Sequence, residues 1–202
     1  QLERWLQTPD LFVGRWRAEA GNASGAPAGV TSWGVWWRTR AYGAYRIHAA
    51  DGSLLLYRFD ALDRVRISAN GVRYRDLLVD ARIRREAEGE LSVRLEDEDE
   101  VQEAVGQGQL SAHAQRRVRW TRELFVQGAE RLLGRVDAAI RLAIEEAERA
   151  QAVLDRFIVS GTSVEMPFEQ GEEFGVASFS PEAEARVSGY VPARDWPGLE
   201  PS

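Results

Sequence analysis

The sequence predicts an α+β fold, a small antiparallel β-barrel followed by C-terminal helices. Two observations carry this. Between Leu11 and Leu95 short β-branched or aromatic segments alternate with Gly, Asn, Asp and Pro, the pattern of strands and turns. From Asp97 to Phe157 the chain turns to Ala, Glu, Arg, Gln and Leu, with apolar residues such as Leu132, Val136, Ile140 and Ile144 at helical spacing.

The expected strands are Leu11 to Ala18, Val30 to Arg38, Tyr45 to Ala49, Leu54 to Phe59, Val65 to Ser68, Val72 to Ile83 and Leu91 to Leu95. Asp51-Gly52 and Asn70-Gly71 are hairpin signals, because both dipeptides tolerate the positive φ angles of a type I′ turn. Six or seven such strands close into a small barrel or a strongly bent sheet. Asp97 is placed as the N-cap of a short helix ending near Gly106 or Gly108. Ser111 caps a second helix running through Val118 and Leu124 with an interruption at Gly128, and a last helix reaches Phe157. The expected organisation is a barrel over residues 1–100 that carries the site, a helical segment over 101–157 packed on it, and an irregular extension over 158–202.

With 202 residues, 44% of them hydrophobic, the chain can bury one substantial core. Its formal charge of -6 argues against nucleic-acid binding through the whole surface. All 26 basic residues are arginine, so any cationic site uses a planar, permanently charged guanidinium. Cysteine is absent and only His48 and His113 represent histidine, which leaves metal binding to carboxylates. No apolar run approaches the ~20 residues that cross a bilayer. A cytoplasmic protein with no membrane partner is the expectation.

The acidic run Glu96 to Glu100 follows about twenty residues behind Tyr74-Arg-Asp-Leu-Leu-Val-Asp80, which carries two more carboxylates. If the chain folds back between these segments, their oxygens converge into a site of the kind hard divalent cations seek. Acids opening a helix also interact with its macrodipole and cap free N–H groups, and most such runs are solvated. Glu96, Glu98 and Asp99 are assigned to solvent or to supporting hydrogen bonds.

The order of parts carries more. A DG hairpin at Asp51-Gly52 leads to Leu56-Tyr57-Arg58-Phe59, then DLLVD at Asp76 to Asp80, then LEDEDEVQEAVGQGQLSAHA at Leu95 to Ala114. This order resembles the domain shared by the fosfomycin-pathway hydrolase FomD and the bacterial nucleoside tri- and diphosphatases similar to it. The resemblance spans roughly Asp51 to Ala114, and its most specific element is the paired DLxxD and DEDE arrangement. It implies a metal site in the barrel mouth and hydrolysis of phosphoanhydrides of nucleotides, with magnesium or manganese as cofactor. Carried over, the metal ligands fall on Asp76, Asp80, Asp97 and Glu100. Two positions depart from the pattern: Arg58 stands where the family has asparagine, and Leu78 where an acid is frequent, which favours one ion over two.

On a regular strand Asp76 and Asp80 lie roughly 13 Å apart, at ~3.3 Å per residue, too far for one ion. Either the strand bulges or the two serve different roles. Asp97 and Glu100, three apart on a helix, share a face, so the preferred set is Asp80, Asp97 and Glu100. Arg58 and Arg75 are candidate phosphate clamps, with Arg73 and Arg82 weaker ones, although any one of them alone is more often an ordinary exposed strand arginine. Ser32 to Arg46 interleaves Trp33, Trp36, Trp37, Tyr42 and Tyr45 with arginines. Most of these rings are expected to fill the barrel, with one exposed Trp of the Trp36/Trp37 pair stacking on a base. Tyr57 and Tyr74 could give a proton to a leaving group, and the general acid stays unassigned. The partner is then a nucleotide or another phosphorylated small molecule. The rivals are an RNA-binding module of a ribonuclease-associated type and a catalytically degenerate member of the family.

Overall fold

The computed structural model describes residues 2–159, and the expected extension lies, from residue 160 on, outside the described residues. Seven antiparallel strands form one sheet in sequence order: β1 Leu2–Gln7, β2 Leu11–Arg17, β3 Thr31–Trp37, β4 Tyr42–His48, β5 Leu54–Ser68, β6 Gly71–Arg85 and β7 Leu91–Glu96. Three helices follow: α1 Glu98–Gly106, α2 Ala112–Gln127 and α3 Ala129–Val159. The α+β order matches the expectation. The barrel does not: β1 pairs only with β2 and β7 only with β6, so the sheet stays open. α3 packs against both of these terminal strands, so a helix rather than a closing ladder covers them.

Strand β1 was not expected, because Leu-Glu-Arg-Trp-Leu-Gln contains no β-branched residue. The segments Leu54 to Phe59 and Val65 to Ser68 are one strand, β5, whose pairing with β6 slips between Asp60 and Leu62 and again between Asp63 and Arg66. At the second slip Arg64 takes a φ of 52°. Both hairpin signals lie at turns, but only their glycines have positive φ, 87° at Gly52 and 115° at Gly71, so neither is a type I′ pair. Ser111 caps α2 by accepting from the Ala114 amide, and Gly128 ends it.

Alternate residues feed two cores on opposite faces of the sheet. On one face Val35, Ala44, Tyr57, Phe59, Ala81 and Ile83 pack with the helices. There Phe125 of α2 meets Phe59 at 5.7 Å and Tyr42 at 6.3 Å between ring centroids. On the other face Phe12, Trp36, Tyr45, Ile47, Leu56 and Leu62 form a core to which no described helix contributes. The sheet bends around it, helped by Ala18, Ala26 and Val30 from the β2–β3 connection.

Trp36 is 2% exposed, and its ring lies flat over Gly34 and against Gly43, where an added methyl group would overlap it. Gly34→Ala is therefore expected to cost about 1–3 kcal/mol by overpacking. Urea denaturation measures it, and an unchanged midpoint would mean the indole moves aside freely.

Candidate functional site

The charged residues of the inner face stand in rows. β5 presents Arg58 and Asp60 two residues apart, hence on one side of the strand. In the register Asp60 faces Asp80, and Asp80 faces Glu96, giving a row of acids across β5, β6 and β7. The next row is basic: Arg58 faces Arg82, and Arg82 faces Arg94. Ion pairs run between the rows. Arg58 donates from Nε to Asp60 Oδ1 at 2.9 Å and from Nη2 to Asp80 Oδ2, with all three side chains at most 6% exposed. Arg82 Nε lies 2.8 Å from Glu96 Oε2.

Between Asp76 and Asp80 the ladder bulges, the first of the two alternatives that strand spacing left. Asp60 pairs with Asp80 and Leu62 with Asp76, so a single β5 residue, Ala61, spans Leu77, Leu78 and Val79. Leu78 takes a φ of 71°, a conformation that costs a non-glycine residue roughly 1–2 kcal/mol. Its amide donates to Asp76 Oδ1 at 2.7 Å. Asp97, at the N-cap of α1, also has a left-handed backbone, and its side chain does not cap the helix.

These turns gather charge around Asp80. Burial is the main force raising its carboxyl, Asp60 adds to it, Arg58 opposes it, and Asp76 and Asp97 add further; the group is pushed up to about 9. One guanidinium thus serves Asp60 and Asp80 while two more carboxylates act on the same point. Beside them the Tyr45 hydroxyl donates to that of Tyr74, and burial first, then acids including Asp60, hold both phenols above their ordinary value.

Of the residues singled out from the sequence, Arg58 and Asp80 are in contact, and Asp76 and Asp97 are near enough for their charges to act on Asp80. Glu100 lies on the exposed side of α1 and is not among the charges acting on Asp80. Arg75 donates to the Gln109 carbonyl at 3.2 Å, at the α1–α2 connection. Trp36 is core, and Trp37, half-buried, packs on Tyr42 at 5.5 Å. Sequence reasoning missed Asp60, although its alternation with Arg58 was a readable signal; Glu96, assigned to solvent or to supporting hydrogen bonds, joins the row and pairs with Arg82.

Among the described residues no three His, Asp or Glu side chains are close enough together to hold a metal ion as they stand. The donor set nevertheless fits a hard cation in kind, being carboxylate oxygen, and in charge, since burial and then Asp60 raise the Asp80 carboxyl in spite of Arg58.

Two solved structures show a distant likeness of fold. One is the complex structure of FomD with CDP, at 14% identity over 58% of this chain and 69% of that one, TM-score 0.46. The other is the phosphatase SC4828 with the non-hydrolyzable nucleotide GPCP, at 14% identity over 59% and 68%, TM-score 0.45. No protein-family model matches this sequence, and no curated protein matches it.

Proposed function

We propose that this chain is a phosphohydrolase that cleaves a phosphoanhydride of a nucleoside di- or triphosphate with the help of one divalent cation, magnesium or manganese. The observation that supports this is the charge imbalance at Asp80, where Asp60, Asp76 and Asp97 act together against one guanidinium. Asp76, Asp80 and Asp97 are the residues that would hold the cation. When bound, it supplies Lewis acidity, offsetting charge on phosphate oxygens and acidifying water. Asp80 releases its proton as it takes up this role. We assign Arg58 to positioning rather than to clamping phosphate, because its Nε and Nη2 are engaged by Asp60 and Asp80 and the side chain is 3% exposed. The strained Leu78 bulge carries Asp76 toward Asp80.

The test is phosphate release from a nucleotide panel with magnesium, manganese or a chelator. Asp76→Ala and Asp97→Ala are expected to lower turnover roughly a hundred-fold or more, the share of a barrier that such an ion carries. Turnover indifferent to the chelator would refute the proposal. A second reading rests on Arg58 itself: buried between two acids, it is the resident cation of a member that has lost its chemistry. That reading predicts no heat on titrating either metal into the protein, whereas the first predicts binding that weakens in Asp97→Ala.

A further inference from the structure

Helix α2 uses two neighbouring stripes differently. It buries Ala114, Val118, Thr121 and Phe125 against the sheet. The adjacent stripe, His113, Arg116, Arg117 and Trp120, has the i, i+3, i+4, i+7 spacing of a single face, yet it is left open. With Thr39 and Arg40 from the β3–β4 turn it lines a cleft of about 390 Å³. That is within the range of small-molecule sites.

Its chemistry is one-sided. Arg40, Arg116 and Arg117 bring three guanidiniums and the lining holds no acid, although the whole chain is at -6. Arg117 has Asp63 behind it at 3.5 Å. Arg40 and Arg116 are exposed and form no ion pair among the described residues. Trp120 is 52% exposed, the largest apolar ring left in solvent among those residues. Guanidinium forks match phosphate oxygens, and an uncovered indole offers a stacking face to a planar base.

We infer that this cleft is a nucleotide-binding site, taking a nucleoside mono- or diphosphate with its phosphate on Arg40 and Arg116 and its base on Trp120. It shares no residue with the carboxylate cluster, so it stands whether or not the chain is a hydrolase. A mononucleotide is favoured over a nucleic-acid strand because a net negative protein repels a long polyanion, and because one ring stacks one base.

The experiment is calorimetric titration in chelator, so that turnover does not contribute, with a nucleoside diphosphate, the matching nucleoside, inorganic phosphate and a single-stranded oligonucleotide. The diphosphate should bind more tightly than nucleoside or phosphate alone. Arg116→Ala and Trp120→Ala should each weaken it about ten-fold or more, a loss of one stacked base or one forked contact. Arg116→Lys should restore only part. Both positions are exposed, and far-UV circular dichroism verifies that the variants fold. The proposal is overturned by an absence of heat, by phosphate binding as tightly as the nucleotide with Trp120→Ala silent, or by an oligonucleotide binding ten-fold tighter than the mononucleotide. Loss of binding in Asp97→Ala but not in Arg116→Ala also overturns it, by moving the nucleotide to the carboxylates.

Discussion

Arg58→Ala is expected to destabilise the fold by about 3–5 kcal/mol, the usual consequence of removing one partner from a buried ion pair. The guanidinium is 3% exposed and joins Asp60 and Asp80 on neighbouring strands, so its loss leaves Asp60 buried beside Asp80 with no cation between them. The cost comes mainly from the charge left behind, not from the bond removed. Two consequences separate this from a packing loss. The defect should shrink at acid pH, where charge left without its partner is neutralised, and adding Asp60→Asn and Asp80→Asn to Arg58→Leu should recover much of the stability. Urea denaturation at two pH values measures both. A loss below about 1 kcal/mol, the size expected of a solvent-exposed pair, would show that water reaches this face.

Metal-free protein should become less stable as pH rises from about 4 to about 9. The cause is Asp80, whose carboxyl is pushed up to about 9 in the fold by burial and then by Asp60, against an ordinary value near ~3.9 in the unfolded chain. Across that window the native state holds a proton that the unfolded state has released. Unfolding is then helped by each step toward alkali, by up to about 1.4 kcal/mol per pH unit. The stabilisation is complete below the unfolded value and gone above the folded one. Asp80→Asn replaces the neutral acid with a neutral amide of the same shape and should flatten the profile. Equal slopes in parent and variant, followed by chemical denaturation with chelator present, would show that Asp80 is ionised in the fold.

How much of the site could be read beforehand differs residue by residue. The grouping of Asp76, Asp80 and Asp97 was proposed from motif order, and a bulge was one of two alternatives that strand spacing left, since two carboxylates four residues apart cannot meet on a regular strand. Asp60 escaped because it belongs to no motif, and the meaning of its alternation with Arg58 depends on facing Asp80. Arg58 was recognised as a departure, but its pairing with Asp60 and Asp80 was not foreseen. A sequence shows the guanidinium and not the two acids that occupy it.

By itself the chain determined the α+β order, the Gly52 and Gly71 turns, the Ser111 cap and the break at Gly128. Each follows from interactions within a few residues: glycine's φ freedom, a side chain reaching its own helix, the period of apolar positions. Tertiary structure alone decided that the sheet stays open, that Trp36 turns into the core, and which charges share a row. Those outcomes depend on the register between strands distant in sequence and on how far the sheet must bend to bury its second face, where a slip of one residue exchanges inside for outside.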